Sequence, residues 1–161
     1  MGKSPLQIQS FRFRSHPKLL SNHRYVLLAA TSTFILNALH AVNTGRYRNA
    51  AKVEYPLAYA PSSRTDAAAV QFNSAQRAHG NYIENQPSML GALLFAGIYF
   101  PLTAAAMGLG WSVCRWLYMK GYSEGQQRGK GRHKGIFYLL FQVGLTGLAA
   151  WNGVAMIRGW Y

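Results

Sequence analysis

Residues 85–114 read NQPSMLGALLFAGIYFPLTAAAMGLGWSVC, a stretch of 30 residues without a single Lys, Arg, Asp or Glu. Two further stretches share this property, residues 25–45 with 21 residues and residues 135–157 with 23. The hydrocarbon core of a bilayer is about 30 Å thick and needs roughly 20 apolar residues of helix to cross it. The sequence therefore predicts an all-α protein that crosses a membrane several times.

The composition agrees with this prediction and excludes several other classes of protein. The 161 residues, enough for one domain, include 17 Lys and Arg against 4 Asp and Glu, and 50% are hydrophobic. Because the cations cluster at the ends of apolar runs, we expect them to meet lipid headgroups rather than nucleic acid. The single cysteine, Cys114, cannot form a disulfide framework, and we expect it to contribute to packing. No metal site is predicted, and GxSxG, HExxH and Walker-type sequences are absent.

Four helices are predicted, joined by short connections into a transmembrane bundle. Their expected ranges are residues 25–42, 71–100, 103–122 and 136–157. A polar loop with Arg46, Arg48 and Lys52 is expected after the first helix. Small residues at helical spacing, such as Ala104 and Gly108, would allow the helices to pack closely in lipid.

The first 24 residues differ from the rest, because they contain five Lys or Arg and no acid. We predict that residues 1–24 form a basic arm at the membrane interface, ahead of a four-helix domain over residues 25–161. An organelle transit peptide has a similar composition and is the alternative.

The distribution of the other cations predicts how the helices are oriented. Eleven lie in the loop after the first helix, at the start of the second helix, at the end of the third, or in the loop that follows it. The positive-inside rule places these segments in the cytosol. The eleven cations are Arg46, Arg48, Lys52, Arg64, Arg77, Arg115, Lys120, Arg128, Lys130, Arg132 and Lys134.

The second predicted helix carries a polar stripe. Arg77, Asn81 and Glu84 are four and three residues apart and share one helical face, which Asn73 extends by a turn. His79 points about 200° away from Arg77 and must meet a different neighbour. Charges at this depth usually mark function, although Arg77 and Glu84 could simply neutralise each other. On the third helix, Tyr118 and Tyr122 share a face with Arg115, and we expect them to line a pocket.

Several segments together resemble the MAPEG family, and most closely its type-three microsomal glutathione transferases. The segments are KVEYP at residues 52–56, FN at 72–73, QRAHGNYIE at 76–84 and YMKGY at 118–122. This resemblance covers roughly residues 25–157. It implies a homotrimer of four-helix subunits, with glutathione bound between adjacent subunits near the cytosolic face.

The resemblance also implies a set of site residues. Glutathione's carboxylates and amino group would be held by Arg77, Asn81 and Glu84, and Tyr118 and Tyr122 would line the same site. Arg48 and His79 would reach the site from the neighbouring subunit. The catalytic arginine that activates the thiol would be Arg132, with Arg128 as the alternative.

Two positions depart from the family's pattern. Asn85 and Gln86 stand where relatives often carry a tyrosine after the glutamate, and Asn49 replaces a second arginine that leukotriene C4 synthase uses. Dedicated leukotriene synthesis is therefore not expected.

The function that the resemblance implies is that of an enzyme, a membrane glutathione transferase and glutathione-dependent peroxidase. Its second substrates would be lipophilic electrophiles or lipid hydroperoxides, and its location the endoplasmic reticulum or the mitochondrial outer membrane. The alternative is a non-catalytic lipid-binding or scaffold protein of the same family. A transporter is disfavoured, because neither inverted repeats nor broken helices are apparent.

Overall fold

The structure is a computed structural model and describes residues 17–124 and 130–160. It contains α1 (Pro17–Ala51), α2 (Ala67–Gly97), α3 (Pro101–Ser123) and α4 (Tyr138–Ile157), with a short 3₁₀ helix, Lys130–Gly135, before α4. No strand occurs in these ranges, so the all-α class is confirmed. Residues 1–16 of the basic arm lie outside the described residues, and the arm's place at the membrane interface stays a prediction.

The first helix is longer than predicted, because it continues through the segment that was expected to be a polar loop. Arg46 and Arg48 lie near its end, and the chain leaves the helix only at Lys52, whose φ is 52°. Arginine is a good helix former, so a basic polar segment does not by itself end a helix. The placement of Arg46 and Arg48 in a loop was therefore wrong.

The second helix begins before the predicted residue 71, because Asp66 caps it. The Asp66 carboxylate accepts a hydrogen bond from the backbone N–H of Ala69 and pairs with the Arg64 guanidinium at 3.0 Å. An N-cap of this kind satisfies a donor that the first helical turn leaves free. The Arg64 bonds, and then the Ala69 N–H, hold the pKa of the Asp66 carboxyl below its usual range.

The four helices pack closely through small residues, and α2 and α3 each contact both α1 and α4. A Cβ atom on Gly108 would lie 3.0 Å from a Leu93 methyl group and 3.1 Å from the Cβ of Ala29. Ala104, one turn before Gly108, is fully buried. The predicted role of Ala104 and Gly108 in close packing is confirmed.

The basic residues collect at one end of the packed helices. The ends of α1 and α3 meet there, where the Nδ2 of Asn43 donates to the Oγ of Ser123 at 2.8 Å. The start of α2 lies at the same end, because the amide of Gln71 donates to the backbone oxygen of Glu124. We call this the basic end, and its exposed cations include Arg46, Lys52, Lys120, Lys130, Arg132 and Lys134. That it faces the cytosol stays a prediction.

The outer surface of the helices is apolar over much of its area. Residues Asn22–Ala51 and Tyr138–Ile157 are long and apolar enough to cross a membrane. Two of the four predicted spans therefore meet this test. The other two, α2 and α3, contain more polar residues, which lower their mean hydropathy. The large exposed apolar side chains of α1 and α4 include Leu27, Leu28, Phe34, Ile35, Val42, Leu140, Val143 and Ile157. Surfaces of this kind mark contact with lipid or with other chains.

Candidate functional site

The polar stripe of α2 presents an open ion pair near the basic end. The Nη1 of Arg77 lies 3.0 Å from the Oε1 of Glu84, and about half of each side chain is exposed. Exposed pairs of this kind contribute little to stability. Either side chain can therefore leave its partner and bind a charged group of a ligand at a small cost in free energy.

Asn81, which lies between those two charges, points its side-chain oxygen inward. The Oδ1 of Asn81 accepts a hydrogen bond of 2.8 Å from the Nη1 of Arg115 on α3. Arg115 is 0% exposed. Its inclusion among the loop and helix-end cations was wrong, because it lies inside the protein and joins α2 to α3.

Four aromatic rings surround the Arg115 guanidinium. The centroids of the Tyr138 and Tyr118 rings lie 4.4 and 4.6 Å from its Cζ, and those of Tyr82 and Trp111 lie 5.5 and 5.6 Å away. Contacts between a cation and aromatic faces are attractive, and more so where water is excluded. The rings thus hold the buried charge in one place.

The two predicted pocket tyrosines lie against each other. Tyr118 is buried and Tyr122 half-buried, and their rings meet edge to face with centroids 5.6 Å apart. The contact that joins this part of α3 to the polar stripe is the hydrogen bond from Arg115 to Asn81. The structure therefore brings α3 to the polar stripe of α2, and that Tyr118 and Tyr122 line a pocket stays a prediction.

His79 points away from the ion pair, toward α1. Its ring centroid lies 5.8 Å from that of His40, which is fully buried and stacks on Tyr82 with centroids 4.5 Å apart. Neither ring nitrogen of His40 has a hydrogen-bond partner among the described residues. Within those residues, no three His, Cys, Asp or Glu side chains form a group that could hold a metal ion.

Arg132 lies on the 3₁₀ helix, which packs directly on α3. Gly135 has no room for a Cβ atom, because the backbone oxygen of Cys114 and the backbone nitrogen of Tyr118 occupy that space. Arg132 itself is exposed and lies between Gly131 and Gly135, which both pack against α3. The alternative, Arg128, lies outside the described residues.

The Arg48 side chain makes its contacts within its own chain. It is buried, and its Nη1 donates to the backbone oxygen of Leu57 at 2.7 Å, while its Cζ lies 4.3 Å from the Tyr55 ring centroid and 4.7 Å from that of Phe72. Asn73 also binds this loop, through the backbone N–H of Ala60 at 2.8 Å. Both residues thus hold the connection between α1 and α2 in place.

Sequence reasoning missed that Arg115 is bound to Asn81, and it missed the buried pair of His40 and Tyr82. A signal for Arg115 was present, since it follows immediately on the uncharged residues 85–114 and precedes Trp116 and Leu117. The intrahelical spacing that revealed the stripe carries no information about contacts between helices.

A separate, open apolar groove with a volume of about 290 Å³ lies between α1 and α3. It shares no lining residue with the polar stripe. The hydroxyl groups of Ser32 and Ser112 are hydrogen-bonded at 2.8 Å, and the other lining residues are apolar. An open groove of this lining suits a hydrocarbon chain.

Comparison with known families adds one finding. The family model described as the MAPEG family matches residues 26–154, from α1 into α4. The match includes every candidate site residue named above. The family includes glutathione transferases, peroxidases and leukotriene or prostaglandin synthases, and some of its members are not catalytic.

Proposed function

The chain belongs to the MAPEG family, and from that premise we propose that it is a membrane glutathione transferase with glutathione-dependent peroxidase activity toward lipid hydroperoxides. The observation that carries the proposal is the open pair of Arg77 and Glu84, with Asn81 between them on the same face of α2. We further propose the homotrimer, the location in the endoplasmic reticulum or mitochondrial outer membrane, and the relation to type-three microsomal glutathione transferases.

The charges of the site suit glutathione. The tripeptide carries two carboxylates and one ammonium, so its site needs more than one cation and at least one carboxylate. Arg77 offers the planar fork of donors that suits a carboxylate. Glu84 is the acid on the same face, and its contact with Arg77 is exposed enough to be replaced by the ammonium.

Activation of the thiol requires a further cation. A free thiol has a pKa near 8.5, so only a few per cent is thiolate at neutral pH. A nearby opposite charge lowers a pKa by about 1–3 units. We assign this role to Arg132, whose backbone on the 3₁₀ helix is held between two glycines, Gly131 and Gly135, that pack against α3.

The thiolate then serves as the nucleophile, and the protein supplies none of its own. With a lipophilic electrophile it forms a thioether and the leaving group departs. With a lipid hydroperoxide it takes the terminal oxygen, which breaks the O–O bond and leaves the lipid alkoxide to be protonated. A second glutathione converts the resulting sulfenic acid to the disulfide and water.

The neighbouring subunit completes the proposed site. His79 points about 200° away from Arg77 on the same helix, so in a trimer the two residues can serve different sites. The apolar exterior of α1 and α4 leaves ample surface for subunits and lipid. Arg48 binds its own loop in the single chain, and the His79 ring lies 5.8 Å from that of His40 in the same chain, so the service of these two residues to a neighbour is the least supported part of the proposal.

The proposal is tested with protein purified into lipid nanodiscs. Calorimetric titration with glutathione and an assay of conjugation to a lipophilic electrophile are expected to give binding and turnover. Arg77→Ala should abolish both, whereas Arg46→Ala, an equally basic and exposed residue at the same end, should change neither. Lipid binding without glutathione binding would instead support the non-catalytic alternative, which the groove between α1 and α3 favours.

A further inference from the structure

Arg115 is a fully buried cation that has no carboxylate partner among the described residues. The chain contains four acids, and three of them pair with Arg64, Arg77 and Lys134. The fourth, Glu54, is exposed in the loop after α1. A buried charge without an ion-pair partner is costly, so we expect Arg115 to have a role other than ion pairing.

The geometry points to Arg115 as the residue that fixes the side-chain amide of Asn81 in one orientation, an inference that rests on the proposed function. Arginine donates hydrogen bonds and accepts none. The amide atom that faces Arg115 at 2.8 Å is therefore the oxygen, and the Nδ2 of Asn81 keeps its two N–H groups for a ligand. Arg115 is thus a positioning residue, and Asn81 is the residue that touches the substrate.

The fixed amide selects which group of the substrate binds beside it. Two N–H donors bind an acceptor, so the group at Asn81 is a carboxylate or a peptide carbonyl of the tripeptide. An ammonium is disfavoured at that position, because the Oδ1 of Asn81 is turned toward the buried Arg115 and the rest of the amide offers only donors. Glu84, three residues along the same face, accepts the ammonium instead. The tripeptide therefore binds in one direction along α2.

The aromatic rings explain why the arginine holds a single position. The ring centroids of Tyr118 and Tyr138 lie within 4.6 Å of the Arg115 Cζ. The rings of Tyr82 and Trp111 complete the enclosure. A lysine at position 115 could still donate one hydrogen bond to Asn81, whereas a methionine could not. The two substitutions therefore separate the hydrogen bond from the filling of space.

The decisive variant is Asn81→Asp, because a carboxylate keeps an oxygen toward Arg115 but loses both N–H donors. We expect its melting temperature to equal or exceed that of the wild type, and its Kd for glutathione in nanodiscs to rise about tenfold or more. Asn22→Asp makes the same charge change near the start of α1, at the opposite end of that helix from the basic end, and should leave the Kd within about twofold. An unchanged or lower Kd for Asn81→Asp would overturn the inference.

A substrate analogue tests the direction of binding. Glutaryl-Cys-Gly lacks only the amino group of glutathione, and we expect that loss to weaken binding by the same factor in the wild type and in Asn81→Asp. A loss confined to one of the two proteins would place the ammonium at Asn81 and overturn the inference.

Substitution of Arg115 is a second, independent test of the inference. Arg115→Met should raise the KM for glutathione about tenfold in folded protein, and Arg115→Lys should recover part of that loss. A lower melting temperature with an unchanged KM in both variants would make the arginine merely structural. If Arg115→Met does not fold, Asn81→Asp still decides. Failure of the wild type to bind glutathione would instead overturn the proposed function, and this inference with it.

Discussion

Gly121 and Gly131 meet backbone to backbone, so that a Cβ atom on either residue would overlap the carbonyl oxygen of the other. This contact attaches the 3₁₀ helix to the end of α3, next to Tyr122. Since Arg132 follows Gly131 directly, the contact also fixes the backbone that carries the proposed thiol-activating arginine.

Gly131→Ala should therefore detach the 3₁₀ helix while the four α-helices stay folded. The added methyl meets backbone, which cannot rotate away as a side chain can. We expect loss of conjugation activity by at least about tenfold, the effect typical of a displaced catalytic group, with far-ultraviolet circular dichroism unchanged. Gly147→Ala in α4, where nothing lies within 4 Å of the new atom, is the control. Full activity of Gly131→Ala would show that the contact between Gly121 and Gly131 is not needed for catalysis.

Glu84→Gln should weaken glutathione binding without unfolding the protein. A charge-assisted hydrogen bond contributes about 1.5–3 kcal/mol, and Glu84 pairs only with the exposed Arg77 among the described residues. Calorimetry in detergent measures the loss, and Glu54→Gln in the exposed loop is the matched control. Equal affinity for wild type and Glu84→Gln would leave Glu84 as a structural partner of Arg77.

Arg132→Ala should abolish the ultraviolet thiolate absorbance of bound glutathione while binding survives, because the carboxylate contacts do not involve Arg132. Lys130→Ala changes an exposed cation of the same 3₁₀ helix and should leave the absorbance in place. Loss of the signal in Arg128→Ala instead would transfer the role to that residue. A signal that persists in both arginine variants would contradict the assignment to this segment.

His40→Phe should stabilise the protein. Phenylalanine keeps the stacking on Tyr82 and removes two buried nitrogens that lack partners among the described residues. Each unsatisfied buried polar group costs about 1–3 kcal/mol, so we expect a higher melting temperature in detergent. His40→Gln keeps a polar group at the same place and should not show the gain. A melting temperature lowered by His40→Phe would mean that the nitrogens are satisfied in the assembled protein.

The Asp66 cap should make the start of α2 sensitive to acid. Because the pKa of its carboxyl is lowered in the folded protein, the contribution of the charge is present above the unfolded pKa, about 3.9, and is lost as the pH falls through the folded pKa. Asp66→Asn keeps the capping hydrogen bond and removes the charge. We expect it to melt below the wild type at pH 7, and the difference to vanish in strong acid. A difference that persists there would assign the effect to the cap alone.

The sequence predicted those features whose residue pattern lies within a single helix. The uncharged runs predicted that helices occupy most of the chain, and the spacing of Arg77, Asn81 and Glu84 predicted their shared face, because both patterns are periodic along one helix. The small residues Ala104 and Gly108 were predicted to pack closely for the same reason.

The errors fall where the deciding contact lies between segments. Arg48 was placed in a loop because it stands in the polar segment after the first apolar run, and only its hydrogen bond to Leu57 and its place over the Tyr55 ring reveal that it is buried. Arg115 was grouped with the helix-end cations because a cation near the end of a helix usually points outward. Its partner, Asn81, is 34 residues away in the chain, a distance at which periodicity predicts nothing.

The ring of Trp111 that faces Arg115 also gives the protein an internal optical reporter. Trp111 is fully buried, whereas Trp116, Trp151 and Trp160 are each exposed over two fifths or more of their surface. Collisional quenchers in the solvent or lipid should reach those three indoles first and leave the emission of Trp111. Its residual fluorescence would then follow changes around the guanidinium, so that occupation of the site can be read without a labelled substrate.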